Sequence, residues 1–134
     1  MSEKEILVVD DDESIRKMFR DSFTRKGYVV RLAGSAEEAL EILKDRQFHV
    51  MFFDLKLPVM SGIDLCREAK EKYPSAFIFA ITAYASIFEL SDCLDAGFND
   101  YFTKPVSLEA LFTVAKDAFE KVASHEMTSH SDKR

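Results

Sequence analysis

Short continuous apolar runs alternate with longer, periodically apolar segments along this chain. Runs of this kind, such as the β-branched stretch at residues 6–9, are typical of strands buried on both faces of a sheet. The pattern predicts five strands, at residues 6–9, 28–33, 50–53, 77–81 and 101–102.

The segments that follow the strands have the apolar spacing of amphipathic helices. Gly27 and Gly97 are positioned to end the first and fourth helices. Ser35 and Glu38 form a capping box at the start of the second helix, and Ser107 is positioned to cap the last helix.

Five strands that alternate with five helices predict an α/β fold. The connections are long enough for helical crossovers, so the strands are expected to be parallel and covered on both faces. We expect one domain at residues 1–124. Residues 125–134 are polar and lack apolar periodicity, which predicts a flexible C-terminal tail.

Composition and charge argue against several classes of function. The 134 residues have a formal net charge of −6 and no basic cluster, so we expect no direct contact with nucleic acid. The longest apolar run, residues 76–81, is too short to span a membrane. The start MSEKE does not resemble a secretory signal, and a cytoplasmic location is expected. Cys66 and Cys93 lack metal-ligand spacing and are predicted to be buried, reduced thiols.

Polar side chains follow four of the five strands. Ligands of open α/β sheets bind beyond the carboxyl ends of the strands, where the strand order reverses. A strand order of 2-1-3-4-5 would bring these side chains together at one edge. They are Asp10, Asp11 and Asp12 after the first strand, Asp54 after the third, Thr82 after the fourth, and Thr103 and Lys104 after the fifth.

Clustered carboxylates repel each other unless a cation offsets their charge. Mg²⁺ prefers carboxylate oxygens, retained waters and phosphate oxygens, and no His or Cys follows these strands as zinc would require. A carboxylate can also act as a nucleophile and form an acyl phosphate. Asp54 is the single acid at its strand end, and Lys104 and the Thr82 hydroxyl could bind phosphoryl oxygens.

These motifs, in this order, resemble bacterial response-regulator receiver domains of the chemotaxis and nitrogen-regulation type. The resemblance extends over about residues 5 to 122 and rests on four stretches of sequence: ILVVDDDESIR, FFDLKLPVMSGIDL, AITAYA and AGFNDYFTKP. It implies a doubly wound, flavodoxin-like (βα)5 parallel sheet with strand order 2-1-3-4-5.

The resemblance also implies roles for individual residues. Asp54 would be the phosphate acceptor, and Thr82 and Lys104 would hold the phosphoryl group. Mg²⁺, for which Mn²⁺ could substitute, would be bound by Asp54, Asp11, Asp10 through water, and the main-chain carbonyl of Lys56. Asp12 is the alternative ligand within the acidic run, although by itself it is most simply a helix N-cap.

A signalling function follows from the same resemblance. A sensor histidine kinase or phosphotransfer protein would phosphorylate Asp54. Thr82 and Tyr101 would then act as the switch and change the surface of the fourth helix, fifth strand and fifth helix, which controls a downstream effector. Such a domain is not an enzyme beyond its own phosphorylation and dephosphorylation. Dimerisation through the fourth and fifth helices is common in the family. Tyr101 taken alone would be a core aromatic.

Three other hypotheses use the same fold. An aspartyl phosphohydrolase would need a second acid near its nucleophile, whereas Lys56 stands two residues after Asp54. A flavin module of the flavodoxin type would need a hydroxyl-rich phosphate loop where this chain has three aspartates. The third hypothesis is a docking module that works without phosphorylation. We further expect the ring of Tyr84, two residues after Thr82, to slow hydrolysis of the acyl phosphate.

Overall fold

The computed structural model describes residues 4–83 and 87–132, and the side chains of this part except those of 87, 88 and 125–132. Tyr84 therefore lies outside the described residues. Five strands form one parallel sheet in the order β2-β1-β3-β4-β5. The strands are β1 (Glu5–Val9), β2 (Val29–Ala33), β3 (Val50–Asp54), β4 (Phe77–Thr82) and β5 (Asp100–Thr103).

Five helices connect and cover these strands, which confirms the predicted fold class and strand order. They are α1 (Glu13–Arg25), α2 (Ala36–Asp45), α3 (Gly62–Lys72), α4 (Ile87–Ala96) and α5 (Leu108–Asp132). Helices α2, α3 and α4 supply buried residues to one face of the sheet. Helices α1 and α5 cover the other face, where Phe19 and Phe23 are fully buried.

The helix ends follow the predicted signals. Gly27 and Gly97 have φ angles of 91° and 106°, in the left-handed region that glycine tolerates. Ser35 Oγ accepts a hydrogen bond from Glu38 N, as a capping box requires. The Glu38 carboxylate accepts instead from Gly34 N, one residue before the N-cap. Two backbone donors at the start of α2 are thus satisfied.

The last helix extends past the point where its apolar pattern stops. The backbone of α5 is helical through Asp132, so residues 125–132 continue the helix of the predicted domain. Polar residues can extend a helix, because its backbone hydrogen bonds form within the segment itself. The flexibility expected for residues 125–134 stays a prediction.

Candidate functional site

The carboxyl ends of the central strands form the acidic edge of the sheet. Strands β1 and β3 are neighbours, with Val9 opposite Phe53, so Asp10 and Asp54 lie side by side. Asp54 also lies opposite Ile81 in β4, one residue before Thr82. Thr82 in turn lies opposite Thr103, the residue before Lys104. The topology therefore brings the predicted side chains to one edge.

The three aspartates after β1 have different surroundings. Asp10 is buried, and its Oδ1 accepts a hydrogen bond from Asp12 N at 2.9 Å. Asp12 is the N-cap of α1, because its Oδ1 accepts from Ser14 N at 2.8 Å. Hydrogen bonds from Ser14 are the main reason that the pKa of Asp12 is lowered. Asp11 is exposed. The N-cap interpretation of Asp12 is confirmed, which leaves Asp10 and Asp11 for the acidic edge.

Asp54 is a buried carboxylate at the end of β3. Its side chain is 5% exposed, and its Oδ1 accepts a hydrogen bond from Lys56 N at 3.1 Å. Burial, and then the charge of Asp10, raise the pKa of Asp54 to about 6. At neutral pH the carboxylate is therefore mainly ionised and remains a competent nucleophile.

Lys104 lies between the two buried acids. Its Nζ is 3.1 Å from Asp10 Oδ2 and 3.4 Å from Asp54 Oδ2. Burial favours the neutral amine, but the attraction of Asp10 and Asp54 outweighs it and raises the pKa of Lys104. One ammonium group thus offsets part of the charge of two carboxylates.

The acidic edge fits a hard divalent cation. One carboxylate oxygen each from Asp10, Asp11 and Asp54 lies within 4.8 Å of the others. Asp10 Oδ2 is buried and, among the described residues, has no hydrogen-bond donor in suitable geometry, although Lys104 is near enough for an ion pair. An oxygen-only ligand set of this kind suits Mg²⁺ better than Zn²⁺.

The loop after Asp54 is held close to the acceptor strand. Gly62 N donates to Leu55 O, and Leu55 N donates to Ile81 O, both at 3.1 Å. Val59, at the outside of this loop, is 98% exposed and has a φ of 67°, an unfavourable conformation for a β-branched residue. Lys56 Nζ forms an ion pair with Glu89 of α4 at 3.0 Å.

The two predicted switch residues differ in exposure. Thr82 is fully buried at the end of β4, and its carbonyl oxygen accepts a hydrogen bond from Lys104 N at 2.8 Å. Tyr101 in β5 is 41% exposed. The interpretation of Tyr101 as a core aromatic is therefore wrong. The ring lies at the surface because β5 is the last strand of the sheet.

Comparison with known proteins identifies the family. The family model described as the response regulator receiver domain matches residues 6–116. This chain belongs to that family. Among solved structures, the receiver is similar to the CheY-like receiver domain protein of Methanospirillum hungatei JF-1, with a TM-score of 0.82 and 32% identity over 90% of this chain and 99% of that one.

Two further relatives are similar to this receiver, one in structure and one in sequence. A BeF3-activated DrrB receiver domain has a TM-score of 0.82 and 30% identity, covering 89% of this receiver and 99% of that chain. Response regulator MprA of Mycobacterium ulcerans (strain Agy99) is 38% identical over 106 residues, which are 79% of this receiver and 46% of that protein. This receiver thus spans about half the length of the curated relatives it matches.

Some features of the receiver were not anticipated from its sequence. Arg16 Nη1 donates to the carbonyl oxygen of Asp10 at 2.8 Å and so fixes the loop that carries the acidic run. The contact between Lys104 and Asp10 was also missed, since Lys104 was considered only as a partner for phosphoryl oxygens. Arg16 carried no sequence signal beyond its place on the polar face of α1. Within the described residues, no helix is both long and apolar enough to cross a lipid bilayer.

Proposed function

We propose that this receiver is a phosphorylation-dependent signalling switch in which Asp54 is the phosphoryl acceptor. The observation that carries the proposal is the surroundings of Asp54. A buried carboxylate lies beside Lys104 and within a set of acidic oxygens that fits a divalent cation. Membership of the receiver family supports the same function.

The chemistry is a phosphoryl transfer to a carboxylate. An oxygen of ionised Asp54 forms a bond to phosphorus, while the bond from phosphorus to the donor breaks and the donor leaves with that electron pair. When bound at the acidic edge, Mg²⁺ would supply positive charge that offsets the charge on the phosphoryl oxygens. Asp10, Asp11, Asp54 and the Lys56 carbonyl would hold the ion, and Mn²⁺ would substitute because it accepts similar oxygen ligands.

Two side chains would then respond to the new phosphoryl group. Lys104 would exchange its contact with Asp54 for one with a phosphoryl oxygen, and the Thr82 hydroxyl would donate to another. A backbone hydrogen bond links the two residues at the ends of β4 and β5, since Thr82 O accepts from Lys104 N. Tyr101, the exposed ring of the same strand, would change its position and alter the surface of α4, β5 and α5.

The partners follow from this chemistry. A sensor histidine kinase or a phosphotransfer protein would donate the phosphoryl group, and a downstream effector would bind the altered surface. The receiver is consumed and regenerated as a substrate, so we do not class it as an enzyme. A cytoplasmic location and a homodimer stay predictions. No observation favours the phosphohydrolase or flavin hypotheses.

The decisive experiment measures the intact mass of the protein after incubation with acetyl phosphate and Mg²⁺. Wild type should gain one phosphoryl group, whereas Asp54→Asn and wild type with EDTA should gain none. Asp12→Asn is the matched control, because asparagine preserves the N-cap and the variant should still be phosphorylated. If wild type gains no mass and shows no spectral response to beryllofluoride, the docking module without phosphorylation replaces this proposal.

A further inference from the structure

A groove of about 500 Å³ lies between β5 and helix α5. We refer to it as the β5–α5 groove. Phe102 and Val114 supply apolar surface to it, and both are half-buried. It opens to solvent because β5 is the outermost strand of the sheet.

The groove has negative charge and lacks positive charge. Three exposed carboxylates line it, those of Asp100, Glu109 and Asp117, and among the residues described in the structure no Lys or Arg does. Within the part of the chain whose side chains are described, none of the three forms an ion pair. Asp100 Oδ1 accepts a hydrogen bond from the backbone N–H of Tyr101, at 2.8 Å. These carboxylates are therefore available to a cationic partner.

The surface on the other side of β5 has the same character. Helix α4 carries Glu89, Asp92 and Asp95 and no basic residue. Asp92 and Asp95 are exposed, and Leu94 between them is 68% exposed. Glu89 is paired with Lys56, whereas Asp92 and Asp95 add exposed acidic groups beside the exposed Leu94, on the other side of the edge strand from the groove.

We propose that the β5–α5 groove binds a short basic segment of a partner protein, in which Lys or Arg residues flank an apolar side chain. The apolar side chain would pack on Phe102 and Val114, and the cations would lie near Asp100, Glu109 and Asp117. This inference rests on the proposed function, because it gives the chemistry of the partner through which the switch would act.

A second copy of this chain is a poorer occupant of the same groove. Two copies related by a two-fold axis at β5 would bring their Asp100 side chains and their acidic α4 helices towards each other. The formal net charge of −6 adds a general repulsion. Lys121 lines an adjoining pocket, which shares Asp100, Val114 and Asp117 with the groove, and its Nζ is 6.0 Å from the centre of the Phe77 ring.

The test uses a synthetic peptide of lysine, arginine and leucine, and a peptide in which glutamate replaces each basic residue. Binding to the full chain is followed by ¹H–¹⁵N NMR shifts, with and without beryllofluoride and Mg²⁺. The groove variant is Asp100→Asn/Glu109→Gln/Asp117→Asn. The matched control is Asp45→Asn/Glu68→Gln/Glu71→Gln, which removes the same charge from exposed sites on α2 and α3.

We expect the basic peptide to shift resonances of β5 and α5, the acidic peptide to shift none, and the groove variant to bind about tenfold more weakly. The control variant should bind within about twofold of wild type. The inference would be overturned if the peptide bound equally weakly to both variants, if it did not bind, or if the shifts centred on Asp10 and Asp54. It would also be overturned if sedimentation showed a dimer of the chain. Phosphorylation of Asp54 is a separate mass measurement, so failure of the groove and failure of the switch are distinguishable.

Discussion

Gly62 lies directly against the backbone of Asp54. A Cβ at position 62 would be 2.1 Å from the Asp54 carbonyl oxygen and 2.9 Å from its carbonyl carbon, distances that no side chain can occupy. The start of α3 therefore packs onto the acceptor residue itself. Only glycine allows the loop after Asp54 to close in this way.

Gly62→Ala should consequently destabilise the protein and disturb the acceptor. We expect a loss of about 1–3 kcal/mol in the free energy of unfolding, measured in urea, because backbone must move to relieve the overlap. Gly34→Ala is the matched control. A Cβ there would be 3.2 Å from Arg16 Nη1, the end of a flexible side chain that can shift. Equal losses of unfolding free energy in the two variants would contradict the overlap between position 62 and Asp54 as the cause.

Mg²⁺ should stabilise the folded protein through the acidic edge. A cation that binds only the folded state adds about 1.4 kcal/mol when its concentration is ten times its dissociation constant. Thermal unfolding with and without Mg²⁺ measures this response. Asp11→Asn should weaken the response, whereas Asp12→Asn should retain it, because Asp12 caps α1. An unchanged response in Asp11→Asn would remove Asp11 from the ligand set.

The contribution of Asp54 to stability without metal should fall as pH rises towards neutrality. The pKa of Asp54 is raised from 3.8 to about 6, chiefly by burial. An acid whose pKa is higher in the folded state binds more protons when folded, and so stabilises the fold at low pH. The stabilisation from Asp54 is complete below the pKa of the unfolded state and is lost as pH rises to about 6. Asp54→Asn lacks this titration. In EDTA, its stability relative to wild type should increase across this window and then level off. A constant difference would show that Asp54 does not titrate there.

Removing Lys104 should expose the repulsion between Asp10 and Asp54. We expect Lys104→Met to lose about 1–3 kcal/mol in EDTA at neutral pH, less than a fully buried pair would lose because its side chain is 19% exposed. Adding Asp54→Asn, or supplying Mg²⁺, should recover part of the loss. Lys56→Met is the control: its ion pair with Glu89 lies at the surface and should be worth less than about 1 kcal/mol. Destabilisation that neither Asp54→Asn nor Mg²⁺ reduces would contradict an electrostatic origin.

The sequence alone determined the elements, their order and the fold class, because apolar periodicity, caps and glycine stops are local properties of the chain. It also identified the residues that follow the strands, and their pattern identified the family. The helical backbone of residues 125–132 was not predicted, since these residues lack the apolar pattern on which helix prediction relies.

Only the tertiary structure decided which of these residues meet, and at what distance. The contact of Lys104 with both Asp10 and Asp54, the exposure of Tyr101 and the closure of Gly62 onto Asp54 each depend on segments far apart in the chain. The acidic β5–α5 groove likewise needs the sheet edge and α5 together. Periodicity predicts on which face of its own helix or strand a residue lies, whereas the distance between two elements is fixed by the packing of the whole core.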